Sequence, residues 1–204
     1  MKFKMIAFAA VLFLSVSGLN AKVPSVTLEN IKSAIKGETT ASAKYAAYAK
    51  KANEEGYAKI ALLFEAASKA ENIHANNHKA VLEQLGEKSG EIKPEFKVKS
   101  TKENLQDAIN GETYEVDKMY PSFMKSSKDE KVNKASISFN YAYQVEKKHQ
   151  ALYKNALAQL EAGKEKSLPS KYFVCPVCGN TYDTEPPAKC GISMTPKGKF
   201  IVFN

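Results

Sequence analysis

The chain has 204 residues, 44% of them hydrophobic and 25% charged, with 10 Gly and 8 Pro. That balance supports one domain of ordinary size with a small appendage, and it excludes disordered, collagen-like and multi-span membrane chains. The formal net charge is +8, yet every one of the 30 basic residues is Lys. Without guanidinium forks to read phosphate or guanine, the charge reads as a solvated Lys surface, and no nucleic acid is expected as a partner.

Lys2 and Lys4 precede an apolar run from Met5 to Leu19, which closes in Leu19-Asn20-Ala21. A basic start, a short apolar core and a small residue at the cut predict a secretory signal peptide over residues 1–21. The alternative, a membrane anchor, needs about 20 apolar residues to span, and no Cys stands near the cut to carry a lipid. The mature chain is expected to begin near Lys22, exported and periplasmic, and still basic after Lys2 and Lys4 are lost. All three Cys, at 175, 178 and 190, fall in the C-terminal segment. An odd count in an oxidising compartment leaves a free thiol or a metal-ligand set.

Between Val26 and Ala162 the chain is rich in Ala, Leu, Glu and Lys with apolar residues at helical spacing. Leu28, Ile31 and Ile35 open the face of a first helix, with Thr27 as its candidate cap and Glu54-Glu55-Gly56 as its end. A second helix is predicted from about Tyr57 to Leu85, ahead of Gly86. Residues 87–99, with Pro94, read as a long crossover. Ser100 and Glu103 form a capping-box signature for a third helix, which Pro121 is expected to kink. A fourth helix runs from about Asp129 to Glu161, before a linker from Gly163 to Ser170. Four long helices with one long crossover predict an antiparallel four-helix bundle.

The bundle carries an internal repeat. Gly37-Glu38-Thr39 recurs as Gly111-Glu112-Thr113, and Glu71-x-x-His74 recurs as Glu146-x-x-His149 at a spacing one position longer. Each half is one helix pair, and the offset marks a small insertion between the two motifs. Two units argue for a closed bundle, since solenoids need three or more.

Two of the three His follow a Glu by three positions, a spacing that aims a carboxylate and an imidazole from one helix face. A solvated salt bridge between helix neighbours has the same spacing. The glycines before Glu38 and Glu112 favour a site, because a mid-helix Gly costs about 1 kcal/mol relative to Ala and is kept for close packing or function. Four helices would then turn four Glu and two His inward, and such a group requires cations to neutralise it. Glu115, one turn after Glu112, has no counterpart in the first half, where Thr40 and Ala41 stand. The pair of metal sites is therefore asymmetric, and mixed carboxylate and imidazole ligation suits iron or manganese. Tyr45 and Tyr120 return to the site face two turns on, to bond a carboxylate, relay a proton or fill the core. His78, four positions after His74, could be a further ligand, but a surface helix position is the reading preferred.

The segments from Gly37 to Tyr45, Glu71-Asn-Ile-His74, Gly111 to Glu115 with Met119-Tyr120-Pro121, Glu146-Lys-Lys-His149 and Cys175-Pro-Val-Cys178-Gly179 together resemble rubrerythrin across the mature chain. The resemblance implies a mainly helical protein: a ferritin-like bundle over residues 22–165, then a linker and a small rubredoxin-like metal-knuckle domain over 166–204. It implies a non-haem di-iron peroxidase acting on hydrogen peroxide, with Glu71 and Glu146 bridging two irons. Glu38 and Glu112 would be terminal ligands and His149 would hold one iron, while His74 and Glu115 would alternate on the other as its redox state changes. Tyr45 and Tyr120 join His74 and Glu115 as candidate catalytic residues. A homodimer is implied too, with one chain's tail near the other's di-iron site.

Cys175-Pro-Val-Cys178 has metal-knuckle spacing, but where a second Cys pair would close a rubredoxin-like site the chain has Cys190-Gly-Ile-Ser193. Ser193 as an oxygen ligand, a water in the fourth position, a three-thiolate zinc site or a Cys175–Cys178 disulfide are all open. Iron or zinc is the candidate third metal. Export removes the nicotinamide pool as a direct electron source, so a separate redox protein is the expected donor. A second function is an iron-binding, iron-oxidising protein that uses oxygen and carries a vestigial tail, and a third is a metal-stabilised structural bundle.

Overall fold

The computed structural model describes residues 25–204; the expected signal peptide lies outside them. Helix α1 spans Ser25–Glu54 and α2 spans Ala58–Gln84; α3 spans Thr101–Tyr114, α4 Tyr120–Asp129 and α5 Asn133–Glu161. A π-helical turn, Glu115–Met119, joins α3 to α4 into one rod. Gly56 (φ 84°) and Gly86 (φ 82°) take the left-handed conformation that ends α1 and α2 where the sequence predicts. The capping box at Ser100 and Glu103 is formed.

Two apolar clusters fill the bundle, and a polar layer separates them. One holds Tyr45, Phe64, Leu105 and Tyr153; the other holds Ile31, Leu82, Tyr120 and Phe139. Along α1 and α5 the chain passes from the second cluster to the first, and along α2 and the α3–α4 rod it passes back. Helices α1 and α2 are therefore antiparallel, as are the rod and α5, while α2 and the rod run the same way. That order requires a connection running the length of the bundle. The segment 85–100 between α2 and α3 can extend about 50 Å, enough for the ~40 Å of a 27-residue helix. Among the described residues no helix is long and apolar enough to cross a membrane.

Two local expectations are corrected, and a third takes a specific local form. Thr27 does not cap α1: it lies inside the first turn, and its own N–H donates to Glu130 Oε2 at 2.8 Å, so a carboxylate from beyond α4 satisfies that helix end. The last long helix starts at Asn133, because Asp129 finishes α4 and Lys131 turns through φ 59°. Pro121, the expected kink, falls directly after a widened turn in which the Tyr120 N–H reaches the Glu115 carbonyl five positions back, so the rod changes its winding just ahead of the residue that has no N–H to donate.

After a single 3₁₀ turn, Glu165–Ser167, the tail forms a three-stranded antiparallel sheet of order β2-β1-β3. Strand β1 is Tyr172–Val174, β2 Thr181–Tyr182 and β3 Ile201–Phe203. Tyr172 and Val174, with Leu168, are buried in the same cluster as Tyr45 and Phe64, so the sheet packs onto the bundle core.

Candidate metal centre

The polar layer contains Glu38, Glu71, His74, Glu112, Glu146 and His149, each no more than 2% exposed. Their ligand atoms form two groups. Glu38, Glu71, His74 and Glu146 make one; Glu71, Glu112, Glu146 and His149 make the other, with all atoms in each within 4.8 Å. Glu71 and Glu146 belong to both, as two carboxylates shared between two ions would. His74 Nδ1 lies 2.7 Å from Glu146 Oε1, 3.0 Å from Glu71 Oε2 and 3.7 Å from Glu38 Oε2. His149 Nδ1 lies 2.8 Å from Glu146 Oε2 and 3.1 Å from Glu71 Oε1.

The other nitrogen of each ring fixes that orientation. His74 Nε2 donates to the Cys178 carbonyl at 3.0 Å, and His149 Nε2 donates to Thr181 Oγ1 at 2.9 Å, whose own proton goes to the Gly179 carbonyl. With Nε2 committed to that bond, Nδ1 is the nitrogen each ring turns to the carboxylates; burial works against charge on the rings, but the carboxylates overcome it and keep a proton on Nδ1 that a metal ion would displace on ligation.

These residues fit a pair of metal ions. Glu38 Oε2, both Glu71 oxygens, His74 Nδ1 and Glu146 Oε1 are buried without hydrogen-bond partners, which in a folded core calls for a counter-charge. The strain registers in the acidities. Burial pushes Glu38 up to about 8 against the pull of His74. Burial also acts upward on Glu71, but His149 and His74 overcome it and hold that carboxyl at about 2. Glu112 is raised by burial and by the charges of Glu146 and Glu71. Oxygen-rich mixed ligation of this kind suits iron or manganese.

The two tyrosines cross between the halves. Tyr45 donates to Glu112 Oε1 at 2.6 Å, and Tyr120 donates to Glu38 Oε1. The repeat offset explains the crossing. The spacing that carries Glu38 onto Glu112 is one position shorter than the spacing that carries Tyr45 onto Tyr120 and Phe64 onto Phe139. The extra position therefore enters between Glu112 and Tyr120, where the π turn absorbs it. In an unbroken α-helix Tyr120 would sit about 80° from Glu112; one residue taken up by the wide turn brings it within about 20°.

Glu115 opens that π turn half-buried and belongs to neither four-residue group. Burial, with the charges of Glu38 and Glu112, pushes its carboxyl well up. The two glycines receive no steric explanation: a Cβ at Gly37 meets nothing within 4 Å, and at Gly111 only the Tyr45 hydroxyl at 3.9 Å.

His78 is not at the surface. It is fully buried, with Nδ1 at 2.7 Å from Ser138 Oγ and Nε2 at 3.2 Å from the Tyr120 hydroxyl. Burial and the neighbouring His74 push its pKa down to about 3. The signal was the spacing itself: four positions after His74 is one turn along the same face.

In the tail, Cys175, Cys178 and Cys190 are buried, unbridged and within 4.8 Å of one another. Cys178 and Cys190 sulfurs are 3.5 Å apart, close to the ~3.8 Å edge of a tetrahedron with 2.3 Å metal–sulfur bonds. Two turns of like design present them. In the first, Gly179 N–H donates to the Cys175 carbonyl and Cys175 N–H to the Asn180 carbonyl. In the second, Met194 N–H donates to Cys190 and Cys190 N–H to Thr195. Gly179 (φ 76°) and Met194 (φ 60°) are the matching left-handed positions, so Ser193 stands where Cys178 stands in its partner turn. Its Oγ lies 3.2 Å from Cys175 Sγ and 2.8 Å from Thr195 Oγ1. The backbone of the second knuckle is complete; only the fourth sulfur is replaced.

The rubrerythrin family model matches residues 29–157. Nigerythrin from Nitratidesulfovibrio vulgaris is 38% identical over 180 residues, covering 87% of this chain and 86% of that protein. Rubrerythrin-2 from Clostridium acetobutylicum is 34% identical over 180 residues, covering 88% and 97%. A solved structure of nigerythrin in a mixed-valence state superposes with a TM-score of 0.79 at 38% identity, covering 87% of this chain and 86% of that one.

Proposed function

Since the chain belongs to the rubrerythrin family of di-iron proteins, we propose that it is a peroxidase reducing hydrogen peroxide to water at two irons in the polar layer. The observation that carries the reading is the pair of four-residue groups sharing Glu71 and Glu146. Glu71 and Glu146 would bridge the ions, Glu38 with His74 and Glu112 with His149 would complete the two ends, and Glu115 would be the mobile seventh ligand. When bound side by side as ferrous ions, the two metals would supply both electrons that peroxide reduction needs, without release of a hydroxyl radical.

The chain's own groups set the conditions for that chemistry. Tyr45 and Tyr120 hold the terminal carboxylates by hydrogen bonds from the opposite half, so each end is oriented by the other. Cys178 offers a short path inward, because its carbonyl accepts the proton of the His74 ring. A metal held by Cys175, Cys178, Cys190 and Ser193 would thus be one hydrogen bond from a di-iron ligand of the same chain. With the expected export of the chain, an extracytoplasmic redox protein would feed the tail, and the protein would act as a homodimer.

Ser193 also favours a second reading, an iron-oxidising protein that uses oxygen and needs no electron relay. The mature chain, iron-loaded and reduced without oxygen, separates the two when mixed rapidly with hydrogen peroxide or with oxygen. Oxidation by one peroxide per site, far faster than by oxygen, supports the peroxidase; a preference for oxygen with indifference to peroxide overturns it.

A further inference from the structure

The chemistry described above consumes protons, because hydrogen peroxide takes up two electrons and two protons to give two waters. The six groups of the polar layer are at most 2% exposed, so those protons need a route through packed protein. A chain of buried hydrogen-bonding groups runs outward on one side of the site. Tyr120 OH donates to Glu38 Oε1, His78 Nε2 lies 3.2 Å from Tyr120 OH, and Ser138 Oγ lies 2.7 Å from His78 Nδ1. Ser138 in turn lines a surface cleft of about 270 Å³, together with Asn77, Gln84, Lys134 and Tyr141.

We propose that Ser138, His78 and Tyr120 form a proton relay from this cleft to Glu38 at the edge of the di-iron site. The inference rests on the peroxidase reading and names the route by which that reaction receives a proton. In one passage the Ser138 hydroxyl gives its proton to His78 Nδ1, and Nε2 gives its own to the Tyr120 oxygen. Tyr120 O–H protonates Glu38 Oε1, and a water in the cleft reprotonates Ser138. Each O–H or N–H bond broken is matched by one formed, so one proton enters and no relay group is left charged. A half-turn of the imidazole restores its starting tautomer. The ring suits this task because it stays neutral. It packs against the rings of Tyr120 and Phe139, and both nitrogens face hydroxyls. A neutral imidazole has one donor and one acceptor nitrogen, the pair that a through-ring transfer needs.

The internal duplication provides a comparison within the same chain. At the spacing that carries His74 onto His149, His78 corresponds to Tyr153 and Ser138 to Leu63. The Tyr153 hydroxyl is buried without a partner, and Leu63 carries no proton to pass. The two outer relay positions are thus both polar on one side and both unable to conduct on the other. Nothing in the packing demands that, since Phe64 and Phe139, or Ala67 and Ala142, keep like residues at the same spacing.

The test uses the iron-loaded, reduced mature chain, mixed rapidly with hydrogen peroxide in ordinary and in heavy water, with iron content measured on every sample. Ser138→Ala, His78→Leu and His78→Gln are expected to keep two irons and to slow oxidation by about 100-fold or more, since a positioned proton-transfer group contributes about 10²- to 10⁴-fold. His78→Gln still bonds Tyr120 but has no second ring nitrogen, so it should be as slow as His78→Leu. Their solvent isotope effects should differ from the unmodified protein's, whereas Tyr153→Phe should match it in rate and isotope effect. Iron-replete His78 and Ser138 variants reacting at the unmodified rate with the same isotope effect would overturn the relay. So would iron loss in all three, which would make the trio structural. Indifference of the unmodified protein to peroxide defeats the peroxidase reading instead, and the relay with it, and is distinguished by needing no variant.

Discussion

Glu71 and Glu115 differ by what surrounds them, although both are Glu on a site-facing turn. Both oxygens of Glu71 are buried without hydrogen-bond partners, and they approach His74 and His149 at 3.0 and 3.1 Å. Removing that side chain takes a ligand from both four-residue groups at once. Glu71→Ala is therefore expected to drop below one iron per chain by metal analysis, and a variant holding two irons with full activity would refute the assignment. Glu115 belongs to neither group, so Glu115→Ala should keep both irons yet turn over more slowly, on the order of 10- to 100-fold, as for groups that tune a metal site. The i and i+3 spacing made Glu71, His74, Glu146 and His149 legible, because a helix fixes which side chains share a face. It carried no information about which imidazole nitrogen faces inward. That choice depends on a carbonyl and a hydroxyl supplied by the distant tail, at Cys178 and Thr181. His78 was misjudged for a related reason: an isolated His on a long helix shows its burial only through partners on other helices.

At the scale of elements, the one-residue repeat offset was visible in the sequence, while its location was not. Only the structure shows it concentrated in Glu115–Met119 as a π turn. Inserting an alanine after Val116 adds a residue that the single wide turn does not absorb, and should swing Tyr120 about 100° away from Glu38. The expected result is loss of the Tyr120–Glu38 hydrogen bond with destabilisation of the iron-loaded form. Thermal unfolding compared with that of Tyr120→Phe checks it; equal stability of the insertion variant and the intact chain would show that the turn does not set the register of Tyr120. The second tail knuckle makes a similar point. Its backbone bonds copy the first, so a thiolate at 193 has a scaffold waiting for it. Ser193→Cys should tighten iron or zinc retention against a chelator. It should also raise the tail site's reduction potential when iron is bound, since an oxygen donor is harder than thiolate and favours ferric iron. Unchanged retention and potential would remove Ser193 from the ligand set.

Over the whole molecule, the composition shift near residue 165 made two parts legible but not how they meet. The meeting depends on groups that motif spacing does not register. Tyr172 and Val174 enter the bundle's apolar cluster, Asn77 Nδ2 donates to the Val177 carbonyl at 2.8 Å, and Lys148 Nζ donates to Asn180 Oδ1 at 2.6 Å. The first knuckle is thereby seated against α2 and α5, in its own chain, at the level of the polar layer. Gly179 is where this seating is tightest. Its φ is +76°, and an added Cβ would fall 2.5 Å from His74 Nε2 and 3.2 Å from the Ala70 carbonyl. One of those neighbours is helix backbone and the other a ring already held by its hydrogen bond to Cys178, so neither can yield cheaply. Gly179→Ala should therefore lift the knuckle from the bundle, at a cost of about 1–3 kcal/mol from the left-handed backbone together with overpacking. The six groups of the polar layer all come from the bundle helices, so the variant should still bind two irons. It should show faster amide exchange across Cys178–Thr181 and slower re-reduction of the oxidised di-iron site through the tail, while direct chemical reduction of that site is unaffected. Exchange and re-reduction both at unmodified rates would mean that contact between knuckle and His74 is not what joins the two parts.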